Sequence, residues 1–182
     1  MFTQLRVQIA NYLLIKKIEK INNNLNLITI SNSKKIGLLF DSNSPNDILL
    51  IKQLVKKFLI KNIDVNVLGF VNQNDYSDYH LSSLHINYFN LNDLNWLLYP
   101  KSKNIDNFYL NKYDIVINLS LDNSFPTKCI TLLSRSKCKI GIFSSNYKLS
   151  YDLMFNLKVA SLSYFIKELT HYLDLINQNN EK

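Results

Sequence analysis

Polar side chains follow the apolar runs that the sequence predicts as buried strands. Asp41 directly follows the run at residues 35–40, and Asp122 comes shortly after the run at residues 113–119. Two carboxylates surrounded by hydroxyl groups can perform acid–base chemistry or hold Mg²⁺. Serine and aspartate are also common in loops and helix caps, and we give this structural role more weight. The predicted ligand-binding residues are Asp41, Ser42, Ser44, Ser120, Asp122 and Ser124.

The sequence lacks the short motifs of phosphate binding and of nucleophilic catalysis. It has no G-x-G-x-x-G, no G-x-x-x-x-G-K-[ST] and no G-x-S-x-G run. Cys129 and Cys138 lie nine residues apart, so each is expected to be a small buried side chain. The three histidines show no metal-ligand spacing. The sequence therefore predicts no cofactor and no metal site, assigns no catalytic residue and favours a protein that is not an enzyme.

Short apolar runs alternate with helical periodicity along most of the chain. The predicted strands cover residues 35–40, 64–71, 85–89, 113–119, 139–143 and 154–158, and the predicted helices cover 48–60, 126–134 and 161–176. This alternation predicts an α/β fold in three layers, with a mostly parallel open sheet of the Rossmann-like or flavodoxin-like kind. Ligands of such sheets bind at the carboxyl ends of the strands, near the point where the strand order reverses.

The first 21 residues predict an extra N-terminal helix with two apolar faces. One stripe contains Val7, Ala10, Leu14, Ile18 and Ile21, and the opposite side contains Leu5, Ile9, Tyr12 and Leu13. Such a helix packs on the body, dimerises or lies on another surface. The residues that follow are expected to be mostly linker, with a short strand possible at 27–30. The predicted organisation is a helix and linker at 1–33 and one α/β domain at 34–182.

Basic side chains cluster in two regions of a chain whose formal net charge is +7. Residues 1–35 carry six basic residues against one acidic residue, and residues 128–148 carry no acidic residue. The predicted contacts with an anionic partner such as RNA are Lys16, Lys17, Lys20, Lys128, Arg135, Lys137 and Lys139. A solvated basic surface is the competing interpretation, because lysine, asparagine and isoleucine are enriched together, as expected for an AT-rich genome.

Trp96 is the single tryptophan of the chain. It lies among leucines and is expected to fill the core or to cover a sheet edge. The tyrosines around it are possible stacking partners for nucleic-acid bases, although eleven tyrosines in a biased composition make this the weaker interpretation. These tyrosines are Tyr76, Tyr79, Tyr88 and Tyr99.

Five short segments give the chain a recognisable order. They read K-I-G-L-L-F-D, V-L-G-F-V, D-L-N-W, N-L-S-L-D-N-S-F-P and Y-D-L-M. This order resembles an uncharacterised bacterial family of short α/β proteins, a domain of unknown function found in the Bacteroidota, over most of the chain. No activity is established for that family, so the resemblance implies no catalytic residue. The matching positions are Asp41, Asp93, Leu94, Asn95, Trp96, Asp122, Phe125, Pro126, Tyr151 and Asp152.

A second, fainter similarity concerns the later strands. The run from Tyr113 to Leu119, then a short helix, then Arg135 to Gly141, is similar to the amino-terminal half of heptosyltransferase-type glycosyltransferases. Those enzymes hold the sugar nucleotide with a second Rossmann-like domain, which this chain is too short to contain. The similarity implies a degenerate fold that has lost its catalytic partner.

Three functions remain open, in order of preference. The first is a non-catalytic interaction module that binds RNA or a ribonucleoprotein surface. The second is a small-ligand-binding protein or enzyme with a site at the carboxyl ends of the strands. The third is a membrane-surface or homodimeric accessory protein held through residues 1–21. No apolar run reaches the roughly 18 residues of a membrane span, and no targeting pattern is evident, so a cytoplasmic protein is expected.

Overall fold

Six parallel strands form the central sheet in a computed structural model that describes residues 2–18, 33–122, 124–143 and 151–180. The strands are β1 (Lys35–Asp41), β2 (Asp64–Val71), β3 (Ile86–Asn90), β4 (Lys112–Asn118), β5 (Arg135–Ile142) and β6 (Leu153–Phe155). Their order is β3-β2-β1-β4-β5-β6, and each neighbouring pair is parallel. The chain runs outward from β1, returns to the centre at β4 and runs outward again. This is the Rossmann order rather than the flavodoxin order.

Helices cover both faces of the sheet and confirm the predicted three-layer α/β fold. They are α1 (Phe2–Ile18), α2 (Pro45–Ile60), α3 (Lys103–Leu110), α4 (Phe125–Leu133) and α5 (Leu162–Asn180), with a 3-10 turn at Leu91–Asp93. The largest core cluster joins α2 and α5 to one face of the sheet. A second cluster joins α3 and α4 to the other face. Because both faces are covered, the central strands are continuous apolar runs instead of alternating ones.

The N-terminal helix α1 forms an additional layer outside α4. Its side chains Ala10, Leu14 and Ile18 are buried in a third cluster with side chains of α4. A hydrogen bond from Lys128 Nζ to Asn11 Oδ1, at 2.9 Å, crosses the same contact. Of the three possibilities that the sequence left open for this helix, packing on the body is therefore the one realised by its inner face.

The element boundaries differ from the sequence-based expectation mainly at β5. That strand begins at Arg135 instead of residue 139, because its ladder with β4 continues to the pair Lys112–Arg135. The first residues of β5 are polar and partly exposed, so they are not part of the apolar run from which the strand was predicted. Helix α2 begins at Pro45, three residues before the predicted range of 48–60, with Ser44 as its cap. The predicted strand at 27–30 and the end of the first helix at Ile21 lie outside the described residues.

Cys129 and Cys138 are both buried and free, as expected. Gly141 lies so close to Tyr151 that a Cβ atom added there would approach the tyrosine ring to 2.5 Å. Among the helices of the described residues, none has the length and hydropathy to cross a membrane.

Candidate functional site

The strand order reverses between β1 and β4, and this brings the ends of the two strands side by side. Leu39 pairs with Asn118 in the ladder, and Leu119 N–H donates to Leu39 C=O at 2.8 Å just beyond it. The next side chains of both strands therefore meet at the carboxyl edge of the sheet, where the sequence predicted a site.

Asp41 is the centre of a hydrogen-bonded cluster at this edge. Ser120 Oγ donates to one carboxylate oxygen of Asp41, and Ser124 Oγ donates to the other at 2.9 Å. The Ser124 N–H donates to Ser120 Oγ at 3.2 Å, and the Ser124 hydroxyl lies 2.7 Å from Thr127 Oγ1. We call Asp41, Ser120, Ser124 and Thr127 the carboxyl-edge cluster. It ties the end of β1 to the first turn of α4.

The environment of Asp41 disfavours its charged form. Burial raises the pKa of the Asp41 carboxyl above its ordinary value, and the nearby carboxylates of Asp122 and Asp47 raise it further. The hydrogen bonds from Ser120 and Ser124 act in the opposite direction and offset only part of this rise. Asp41 therefore holds a proton more readily than an exposed aspartate does.

A small cleft opens beside Asp41. Its volume is about 70 Å³, far below the roughly 300–1,000 Å³ of typical ligand pockets. Among the described residues, three carboxylates and no basic side chain line it, and this lining disfavours phosphate groups. In the part of the chain that the structure describes, no group of three His, Cys, Asp or Glu side chains is arranged to hold a metal ion. The lining residues are Asp41, Asn43, Asp47, Leu119, Leu121, Asp122 and Leu162.

The other predicted ligand-binding residues lie near the cleft but have different surroundings. Asp122 is exposed on its rim. Ser42 is buried beside β2, where its N–H donates to Phe70 C=O at 2.7 Å, and its hydroxyl has no partner among the described residues. Ser44 caps α2 by accepting a hydrogen bond from Asp47 N–H. The structure thus brings together Asp41, Ser120 and Ser124, whereas Ser44 has the cap role that the sequence favoured.

Within the described part of residues 128–148, the basic side chains do not form one exposed surface. Lys128 and Lys139 are buried, at 4% exposure each. Desolvation lowers the pKa of Lys128 to about 8 and also lowers that of Lys139. Lys137 is exposed but paired, with its Nζ 2.7 Å from Asp114 Oδ1. Arg135 is the remaining exposed cation of this stretch within the described residues.

The basic residues of α1 have a different placement. Lys16 and Lys17 are exposed in the last turn, where positive charge suits the helix dipole. Lys16 Nζ lies 4.6 Å from the ring centroid of Tyr12. Lys20 lies outside the described residues. Of the exposed lysines of this helix, Lys16 therefore stands beside an aromatic side chain.

The outer face of α1 carries an apolar stripe that the rest of the described chain leaves exposed. Leu5, Ile9, Tyr12 and Leu13 are 54%, 38%, 57% and 39% exposed. Their spacing of i, i+4, i+7 and i+8 is that of the contact face of an amphipathic helix. Because the opposite face packs on α4, this stripe is a second apolar face and not the core face.

Trp96 was expected to fill the core or to cover a sheet edge, and the first alternative is wrong, since its side chain is 68% exposed. It lies in a tight loop between Leu94 and Pro100, which pair as an isolated antiparallel bridge. Asn95 Oδ1 accepts the N–H groups of Leu97 and Tyr99 at 2.9 and 3.0 Å. The loop is therefore ordered by its own backbone contacts, while the indole faces solvent.

Arg6 joins this loop to α1. Its Nε and Nη2 donate to Trp96 C=O at 2.9 and 2.6 Å, and its guanidinium carbon lies 5.5 Å from the indole centroid. We call Leu5, Ile9, Tyr12, Leu13 and Trp96 the α1–Trp96 surface. Base stacking on the nearby tyrosines, the weaker interpretation of the sequence, gains no support at this surface, since Tyr88 is buried and Tyr99 is half-buried against α1.

Sequence reasoning did not identify Arg6 or Thr127, and it named Asn95 only as a position that matches the family. One signal was available for Arg6, because it is one of only two arginines in a chain rich in lysine. Arginine is the cation suited to a forked contact with a carbonyl group and an aromatic ring. Thr127 follows a helix start that the sequence did predict, but its contact with Ser124 depends on the turn geometry.

Comparison with known proteins places this geometry in a family. A family model described as a family of unknown function, DUF6913, matches residues 6–176. The chain belongs to this family. The match begins within α1 and ends within α5, so DUF6913 includes the whole sheet, the carboxyl-edge cluster and all of the α1–Trp96 surface except Leu5. No curated protein and no solved structure matches the chain.

Proposed function

We propose that the protein is a non-catalytic interaction module that docks on a partner through the α1–Trp96 surface. The observation that carries this proposal is the second apolar stripe of α1, which faces solvent while the first stripe is buried on α4. Contiguous exposed apolar side chains mark interaction sites in folded proteins, whereas scattered ones are ordinary.

The loop of Trp96 supports the same interpretation. Leu98 has a φ of +62°, a left-handed conformation that is costly for a leucine. This strained loop nevertheless leaves Trp96, the largest apolar side chain of the region, exposed to solvent. A loop that only completed the core would bury its tryptophan, so presentation of the indole to a partner accounts for both features.

The partner that the sequence favoured, RNA or a ribonucleoprotein, stays within this proposal. Exposed Lys16, Lys17 and Arg135 support an anionic partner. The aliphatic side chains of the stripe support apolar contact instead, because leucine and isoleucine offer no stacking plane for bases. The composition further supports our proposal that the source is a bacterium with an AT-rich genome and that the protein works in the cytoplasm.

Sedimentation from an extract of the cells that produce the protein tests the proposal. The variant Leu5→Gln/Tyr12→Gln/Trp96→Ala removes three side chains that are each more than half exposed, and glutamine keeps helix propensity. We expect the wild type to sediment with larger particles and the variant to sediment alone. The matched control is Leu84→Gln, at a side chain 87% exposed outside this surface. Equal sedimentation of all three proteins contradicts the proposal.

A second candidate function is binding of a small ligand at the carboxyl-edge cluster. It is favoured by the position of Asp41 at the point where the strand order reverses. The carboxylates of the cleft suit a small amine, cation or hydroxyl-rich group. The similarity to heptosyltransferase-type glycosyltransferases covers only their amino-terminal half. It therefore supports this candidate only as a sugar-binding remnant that has lost its partner domain.

Thermal-shift measurements with Mg²⁺, sugars, sugar phosphates and nucleotides test this second candidate. A ligand of the cleft raises the melting temperature of the wild type but not that of Asp41→Asn or Asp122→Asn. A rise that both variants retain locates the ligand elsewhere, and no rise with any compound removes this candidate.

A further inference from the structure

We infer that the α1–Trp96 surface docks on an anionic lipid surface, with α1 lying in the plane of the headgroups. The inference rests on the proposed function, since it names the partner of the same surface. Interfacial helices combine an aliphatic and aromatic stripe with lysine or arginine beside it, and they insert that stripe at the boundary between headgroups and acyl chains. The described residues of α1 have this composition on their outer side.

The shape of the surface suits a bilayer. The stripe from Leu5 to Leu13 follows the helix axis for about 12 Å at 1.5 Å per residue. Among the described residues it stands on the outermost layer, because α1 packs outside α4. Tyr12 and Trp96 have an apolar ring and a polar group, the combination that is enriched where hydrocarbon meets water.

Charge favours an anionic surface over a second copy of this chain. The helix Phe2–Ile18 contains Arg6, Lys16 and Lys17 and no acidic residue. Two such helices brought face to face would repel each other, whereas anionic headgroups attract all three cations. Lys16 lies within the stripe beside Tyr12, where its long side chain can reach the headgroups while its methylenes stay in the apolar layer.

The same features separate lipid from RNA as the partner. RNA would use planar groups for stacking and cations for phosphate, but it would leave Leu5, Ile9 and Leu13 without a role. Lipid gives every exposed side chain of the stripe an apolar environment and gives the flanking cations their counter-charges. RNA binding is therefore kept as an outcome of the test.

Vesicle flotation with the full chain tests the inference. The probes are vesicles of phosphatidylcholine alone and of phosphatidylcholine with one quarter phosphatidylglycerol. We expect binding to the anionic vesicles, with a blue shift of the single tryptophan as Trp96 leaves water. The triple variant Leu5→Gln/Tyr12→Gln/Trp96→Ala should lose binding. Lys16→Gln/Lys17→Gln should weaken it about 25-fold, since each lysine contributes about fivefold near an anionic surface.

Two controls make the result specific. Lys52→Gln/Lys56→Gln removes two exposed lysines of α2, and Leu84→Gln removes an exposed leucine outside the surface. Both should bind as the wild type does. If the α2 variant weakens binding as much as the α1 variant, or if the triple variant still binds, the vesicles only attract a basic protein and the inference is wrong.

The outcomes also separate this inference from the proposed function. If no vesicle binds, but sedimentation from extract still depends on the α1–Trp96 surface, the lipid inference fails and the interaction module stands. If a labelled RNA oligonucleotide binds and the triple variant abolishes that binding, the partner is RNA and the lipid inference also fails. If neither vesicle binding nor sedimentation depends on the surface, both proposals fail.

Discussion

Arg6 donates two hydrogen bonds to the backbone carbonyl of Trp96, at 2.9 Å from Nε and 2.6 Å from Nη2. These bonds join the first helix to a loop 90 positions later in the chain. They fix the indole beside the exposed stripe of α1, so that two elements from distant parts of the sequence form one surface. The orientation of Trp96 therefore depends on Arg6 as well as on its own loop.

Replacing Arg6 with methionine should release the Trp96 loop from α1. The variant loses two hydrogen bonds and the contact of the guanidinium with the indole, so we expect the free energy of unfolding to fall by about 1 kcal/mol. Acrylamide quenching of Trp96 fluorescence should increase, because the side chain moves more freely. Lys16→Met, which removes another cation of α1 without touching Trp96, should leave quenching unchanged. Unchanged quenching in Arg6→Met would show that the loop is fixed by other contacts.

Replacing Gly141 with alanine should destabilise the fold. The new Cβ would meet the ring of Tyr151, whose hydroxyl accepts a hydrogen bond from Asn118 Nδ2 at 3.1 Å. Overpacking of this kind costs about 1–3 kcal/mol. Tyr151→Phe, which removes the hydroxyl but keeps the ring, should cost about 1 kcal/mol by comparison. Urea denaturation measures both, and a Gly141→Ala protein as stable as the wild type would contradict the observed packing.

The raised pKa of Asp41 predicts a pH dependence of stability. The folded state holds the Asp41 proton more tightly than the unfolded chain, so this residue favours folding increasingly as pH falls from neutrality through its raised pKa. The wild type should gain stability relative to Asp41→Asn between pH 7 and pH 4. Urea denaturation of both proteins across this range provides the comparison. If the difference in free energy of unfolding between the two proteins stayed constant over this pH range, Asp41 would titrate as an exposed carboxyl group does.

Lys128 predicts a pH dependence of the opposite sign. Its pKa is about 8 in the folded state, and its ordinary value is 10.5. Between these values the unfolded chain keeps the proton and the folded protein has released it, so stability rises with pH. The wild type should therefore gain stability relative to Lys128→Met from pH 8 to pH 10. If the wild type shows no such gain, water reaches the ammonium group of Lys128 through the contact between α1 and α4.

The part of the site that was predicted from sequence depends on strand ends. Apolar runs ending at Asp41 and just before Ser120 were visible in the sequence, and parallel pairing brings such ends to one edge. The order of the strands was not visible, because it is determined by the crossover connections. The meeting of Asp41 with Ser124 instead of with Asp122 follows from the turn that leads into α4.

The parts that sequence reasoning missed depend on tertiary contacts. Lys128 was counted as a surface cation, but α4 is covered by the sheet on one side and by α1 on the other, so a lysine of this helix is buried. Trp96 was expected to fill the core or to cover a sheet edge because its neighbours are leucines. Its exposure follows from the loop, in which Asn95 and a left-handed Leu98 set the direction of the chain.

The most direct measurement of the central claim is photo-crosslinking in extract from two exposed positions. A benzoylphenylalanine replaces Tyr12 on the α1–Trp96 surface in one protein and Leu84 in the other, sites that are 57% and 87% exposed. The account predicts a light-dependent adduct from position 12 and none from position 84. No adduct from position 12, or equal adducts from both positions, would contradict a docking function of this surface.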